Sequence, residues 1–175
     1  MADSVMRDFH SLLPPRRAML LCGLMSATLL VGAFLFEYVG GLAPCRMCIW
    51  QRWAHVAIIV CALPALVALS PRLAQAGLAI LAAAAATSAA IAGYHAGVEW
   101  GLWAGPSGCT ANLDSNLSAG SLVDQLLATP VIRCDDVPWS LFGISMAGWN
   151  ALFSLDIMAI ALMSLLAAHK HRHTN

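Results

Sequence analysis

Charge is what this chain has least of. Asp, Glu, Lys and Arg make up 10% of its 175 residues, and nine acids balance nine Lys and Arg to a formal net charge of zero. No basic surface points to nucleic acid, so what matters is where the few charges fall. A second Cys-x-x-C is also missing. Cys45 and Cys48 form one such pair, but Cys109 and Cys134 lie far apart in the chain, so the spacing of a zinc site is left incomplete and no metal is expected. The first apolar run is not followed by a small-x-small cleavage site, and Cys22 comes too early in it for lipoprotein processing. That run therefore reads as a membrane helix rather than a signal peptide.

What is abundant is apolar surface. Hydrophobic residues reach 60% and the mean hydropathy is +0.75, outside the range of an ordinary soluble domain. The fold class expected is an all-α membrane protein, a single domain built as a four-transmembrane-helix bundle with helices at about 18–36, 46–69, 73–94 and 140–168. Ala18 to Phe36 carries no charge, and at 1.5 Å per residue it makes about 28 Å of helix, enough to span. Pro64 is expected to kink the second helix. In the third, Ala82, Ala86 and Ala90 suggest a face for close helix packing.

Arg7, Arg16, Arg17, Arg72, Lys170 and Arg172 fall at one side, against Arg46, Arg52 and Arg133 at the other. The positive-inside rule then puts both termini in the cytoplasm, and the short loop near 37–45 and the long loop near 95–139 outside. Trp50, Trp53, Trp100, Trp103 and Trp139 gather at that outer interface as an aromatic belt. The His169-to-His173 tail reads as a solvated cytosolic end. Within the long loop, Ser121 to Asp124 reads as a capping box that opens a short amphipathic helix with Leu126 and Leu127. Asn116 heads a glycosylation sequon to which no role is given.

The chemistry sits in the cysteines. Cys45 and Cys48 open the second helix beside Pro44, with Arg46 and Arg52 close in sequence, and a helix N-terminus with nearby guanidinium groups favours thiolate over thiol. Cys22 and Cys61 lie inside apolar runs and read as small core residues. Cys109 and Cys134 belong to a polar outer loop that another protein could reach. Two pairs on one side of a membrane admit three disulfide connectivities, and the sequence does not choose among them. Exchange between the pairs would move two electrons from a soluble dithiol to the membrane, where a lipid-soluble quinone could accept them.

Taken together, these features resemble the DsbB family of disulfide bond formation proteins, membrane partners of the periplasmic oxidant DsbA. The resemblance rests on four helices, Cys45-x-x-Cys48 with Arg52 four residues on, His95 before the long loop, and Cys109 and Cys134 followed by Trp139-Ser140-Leu141-Phe142-Gly143. It implies a thiol oxidoreductase of the bacterial inner membrane, whose partner is a periplasmic DsbA-like thioredoxin-fold protein and whose cofactor is ubiquinone or menaquinone. It further implies that Cys109 is attacked by the reduced partner, Cys134 resolves it and exchanges with Cys45, and Cys48 is freed as a thiolate beside the quinone. Arg52 and His95 would then contact the quinone. The vitamin K epoxide reductase type shares the chemistry, but there the Cys-x-x-C is expected after the loop pair rather than before it.

Two readings of other classes stand beside this one: a membrane cytochrome with His55 and His95 as axial haem ligands, and a structural bundle whose loop is merely stapled. His55 is expected to hydrogen-bond between helices, and the same is expected of Asp156, the sole acid deep in a span. Arg52 could also be an ordinary interfacial arginine compensated by Glu37.

Overall fold

The computed structural model describes residues 11–67, 70–107, 109 and 132–174. Its helices are α1 (Pro15–Tyr38), α2 (Arg46–Ala62), α3 (Pro71–Glu99) and α4 (Met146–Thr174). All four, with α2 extended to Leu66, are long and apolar enough to cross a membrane. They run up and down, so the end of α1, the start of α2, the end of α3 and the start of α4 meet at one end of the bundle. Every cysteine expected to be reactive lies at that end. The short amphipathic helix expected from Ser121, the sequon at Asn116 and the expected helix end at Leu69 fall outside the described residues.

Local chemistry sets the helix ends. Pro15 occupies the first turn of α1, where its missing N–H costs nothing. Pro64 ends α2 as an α-helix rather than kinking it, because it cannot donate to the carbonyl four residues back. The chain tightens into a 3-10 turn over Leu63–Leu66. The carbonyls freed there are taken up by Arg16, whose Nε donates to Ala65 O at 2.8 Å and whose guanidinium reaches Leu66 O at 3.3 Å.

The last helix begins at Met146 rather than near 140. A two-residue hairpin intervenes, pairing Ser140 with Ser145 and Leu141 with Ile144. Phe142 and Gly143 both have positive φ, 54° and 78°, the conformation that tight hairpins require and that glycine tolerates best. Ser145 then caps α4, its hydroxyl accepting from the Gly148 N–H at 3.1 Å.

Small residues bring the helices together, though on a face other than the one expected. Ala74, Ala82, Ala85, Ala92 and Ala96 of α3 are buried, while Ala86 and Ala90 are exposed. A strict four-residue step drifts around a helix of 3.6 residues per turn, so the buried stripe mixes steps of three and four. Beside it, Met19 and Cys22 of α1, Ile58 of α2, Leu78 and Leu81 of α3 itself and Ile157 of α4 fill the core. Gly23 marks the tightest crossing of α1 and α2, since a Cβ there would stand 2.6 Å from that of Ala62. Asp156 departs from expectation. It lies on the exposed face of α4 and has no hydrogen-bond or ion-pair partner among the described residues, because Ser154, Ile157 and Ala161 take the inward positions.

Candidate redox site

Pro44 stands just outside α2, and Cys45 is its N-cap, with extended backbone and a sulfur that accepts from the Cys48 N–H at 3.3 Å. The Cys45 Sγ also lies 2.9 Å from Cys48 Sγ and 3.5 Å from His95 Nε2. Three donors thus converge on one sulfur, and its pKa is lowered to about 4. The bond from Cys48 lowers it most, burial opposes, and His95 adds a further pull. Neither arginine touches these sulfurs. Arg46 reaches Ser107 O at 3.4 Å and stacks over Trp50, so the cation expected to favour the thiolate is engaged elsewhere.

The second pair is closed as a Cys109–Cys134 disulfide with the two Cα atoms 5.1 Å apart, while Cys45 and Cys48 are free thiols. Contrary to the expectation of a reachable loop pair, Cys109 is 1% exposed and Cys134 0%. Both are packed into a cluster with Cys45, Met47 and Val98, because the loop ends fold down onto the helix ends. Cys134 N donates to Cys109 O at 2.9 Å, a backbone hydrogen bond beside the disulfide.

The two pairs therefore meet. One ligand atom each from Cys45, His95 and Cys134 lies within 4.8 Å of the other two. That spacing could hold a soft metal ion were the Cys134 sulfur not already bonded to Cys109. As it stands, it sets a thiol within reach of a disulfide. His95 bridges the gap, its Nε2 also lying 3.2 Å from Cys134 O. Both nitrogens of His55 and of His95 are engaged in hydrogen bonds, and those of His55 run between helices as expected.

Beside the sulfurs a cavity of about 600 Å³ opens between α1, α2 and α4. Cys48, Arg52 and His95 line it among mainly apolar neighbours such as Leu29, Phe36 and Phe153. Arg52 is paired with Glu37, donates to Ala33 O at 3.2 Å and sits 5.0 Å from the Phe34 ring. The compensating partner expected for this cation is thus in place, and the guanidinium still forms part of the cavity wall.

Residues 15–164 match the family profile described as disulfide bond formation protein DsbB. The chain belongs to that family. Its relatives include Disulfide bond formation protein B of Verminephrobacter eiseniae, 30% identical over 87% of this chain and 86% of the relative. That of Methylococcus capsulatus is 32% identical over 86% and 94%. Disulfide bond formation protein B 2 of Pseudomonas entomophila is 35% identical over 85% and 89%. No solved structure matches. A DsbB-family chain with four spanning helices is a multi-pass membrane protein and a disulfide-forming oxidoreductase.

The sequence reading missed Gln51, Asn150, Glu99 and Ser145. Glu99 is 3.8 Å from His95 and takes a hydrogen bond from Ser145, so the cap of α4 is tied to the imidazole beside the sulfurs. The signal available was the rarity of polar side chains inside spans, which marks Gln51 and Asn150 as placed for a reason.

Proposed function

We propose that this chain reoxidises a periplasmic DsbA-like thioredoxin-fold dithiol and hands its electrons to a membrane quinone, ubiquinone or menaquinone. The observation that carries the reading is the approach of Cys45 and Cys134 within 4.8 Å under His95. One thiolate of the partner attacks Cys109, the Cys109–Cys134 bond breaks, and Cys134 leaves as a thiolate. Cys134 then attacks Cys45 of a Cys45–Cys48 disulfide and Cys48 leaves. The second partner thiolate releases Cys109 and completes the partner's disulfide, and Cys109 re-forms its bond to Cys134, displacing Cys45. Each step exchanges one S–S bond for another, and two electrons end on Cys45 and Cys48.

A closed Cys109–Cys134 pair beside free Cys45 and Cys48 thiols supports reading the last form as a stable one. A bound quinone supplies the two-electron acceptor that returns the Cys45–Cys48 pair to a disulfide. The cavity suits such a group: its walls are apolar enough for an isoprenoid chain, and Cys48 and Arg52 stand in its lining. Arg52 would hold a carbonyl oxygen and offset negative charge developing there, while the apolar wall excludes water. In this reading the cell inner membrane holds the bundle with both termini cytoplasmic, as the charge asymmetry favours.

Cys134→Ser tests the reading. With Cys134 gone, Cys109 is left as a thiol that should attack the disulfide of an oxidised thioredoxin-fold partner and accumulate as a disulfide-linked complex, visible on non-reducing electrophoresis. A complex that builds up in Cys48→Ser but never in Cys134→Ser would assign the pairs the other way round.

A further inference from the structure

Below the sulfurs, a line of buried polar side chains crosses all four helices. The His95 Nδ1 is 2.9 Å from Gln51 Nε2, and the Asn150 Nδ2 donates to Gln51 Oε1 at 2.5 Å. His55 Nε2 is 2.7 Å from Asn150 Oδ1, and Ser26 Oγ is 3.1 Å from His55 Nδ1. Ser88 and Ser154, both fully buried, brace the middle: Ser154 donates to Ser88 at 2.9 Å, and Ser88 lies 3.4 Å from His55 Nε2. Within the described residues no buried side-chain nitrogen or oxygen lacks a partner.

The sense of every bond in this line follows from one end. A carbonyl oxygen only accepts, so Cys134 O at 3.2 Å requires a hydrogen on His95 Nε2. The other two neighbours of that nitrogen, Cys45 Sγ at 3.5 Å and Glu99 Oε1 at 3.8 Å, are acceptors as well. At the other side of the ring, Asn150 Nδ2 donates to Gln51 Oε1, which leaves Gln51 Nε2 facing His95, so Gln51 donates and Nδ1 accepts. Asn150 Oδ1 then accepts from His55 Nε2–H, and His55 Nδ1 accepts from the Ser26 hydroxyl. All five donors point toward the cysteines.

We propose that Ser26, His55, Asn150 and Gln51 form a positioning chain that holds His95 in its Nε2–H tautomer, with that N–H aimed between Cys45 Sγ and the Cys134 carbonyl. The role rests on the redox reading above: His95 touches the sulfur that exchanges, and the other four act through it. With the Gln51 N–H facing Nδ1, the chain fixes the tautomer that donates to Cys45. The charged and titratable groups facing Cys45 are Cys48 of its own helix and His95 and Glu99 of α3. Glu99, engaged by Ser145, opposes a negative sulfur, which makes the aimed N–H matter more.

The test is 15N NMR of the full chain in detergent, labelled at histidine, with Cys45 and Cys48 reduced and Cys109–Cys134 intact. In the wild type, His95 is expected in the Nε2–H form at neutral pH; an Nδ1–H ring or an imidazolium would overturn the proposal without any variant. Asn150→Leu should give His95 a mixture of tautomers. It should also raise the pH midpoint for alkylation of Cys45 by about one unit, the effect of one charge-assisted hydrogen bond. A folded Asn150→Leu with His95 unmoved and the same midpoint sinks the idea. Should that variant not fold, Ser26→Ala removes only a hydroxyl and is expected to free the His55 tautomer, while Ser26→Thr restores it. An unchanged His55 in Ser26→Ala would equally overturn the chain. Failure of the redox reading would show separately, as no exchange with a reduced thioredoxin-fold protein while the tautomers stand as expected.

Discussion

Removing the Cys48 thiol isolates what holds Cys45 as a thiolate. Cys45 accepts from Cys48 Sγ at 2.9 Å, from the Cys48 N–H at 3.3 Å and from His95 at 3.5 Å, and its pKa is lowered to about 4. Cys48→Ala deletes the first donor and keeps the other two. A hydrogen bond to a charged group contributes about 1.5–3 kcal/mol, and 1.36 kcal/mol corresponds to one pKa unit, so the Cys45 value should rise by about one to two units. The sign follows from the depressed pKa: the thiolate persists as pH falls from neutral and is lost only on passing through the folded value. Wild-type Cys45 should therefore alkylate at a nearly constant rate from neutral pH down to about 5, with a midpoint near 4. In Cys48→Ala the midpoint should lie about one to two units higher than in the wild type. The assay is reaction with a small alkylating agent across pH, followed by peptide mass analysis that separates Cys45 from Cys22, Cys48 and Cys61. A midpoint that stays near 4 in the variant would refute the assignment to Cys48, and a low midpoint found at Cys48 in the wild type would refute the assignment of the charge to Cys45.

Three further outcomes are expected. Arg52→Ala should raise the apparent KM for quinone and lower turnover, with Arg52→Lys intermediate because lysine keeps the charge but loses the planar fork, while single-turnover exchange at Cys109 persists; steady-state kinetics with varied quinone that match the wild type would leave Arg52 as an interfacial cation paired with Glu37. Gly23→Val should destabilise the bundle by about 1–3 kcal/mol through the clash with Ala62, read as a lowered thermal midpoint in detergent, and a Tm equal to that of the wild type would show that α1 and α2 can part at no cost. Reporter fusions after Ser70 and after Ser118 should report opposite compartments, and matching ones would break both the orientation and the electron path.

Much of this was legible in the chain because hydropathy and length decide spans with little help from context. Ala18 to Phe36 needs no partner to be recognised as membrane-crossing. Rotation of a helix about its axis is different. Asp156 and His55 are both polar residues within spans, yet one faces out and the other sits among Ser26, Ser88 and Asn150, since which face turns inward depends on the neighbours. The hairpin before α4 shows a second kind of limit. Its Phe142-Gly143 turn lies within the Trp139-to-Gly143 stretch, yet phenylalanine seldom takes positive φ and gives no local hint of a turn. Gln51 was hidden for a third reason: in sequence it sits unremarked between Trp50 and Arg52, and only the meeting of α2, α3 and α4 reveals that it joins His95 to Asn150.

The burial of the loop disulfide has a kinetic consequence. With Cys109 and Cys134 seated against Met47 and Val98, a soluble dithiol of the kind proposed would reach the bond only in those molecules where the two cysteines have left that seat. The observed bimolecular rate would then be the intrinsic exchange rate multiplied by the open fraction, so a seat open about 1% of the time would slow capture about a hundredfold. Every 1.4 kcal/mol gained or lost at the seat changes that rate about tenfold. Yet the closed seat is what brings Cys134 beside Cys45.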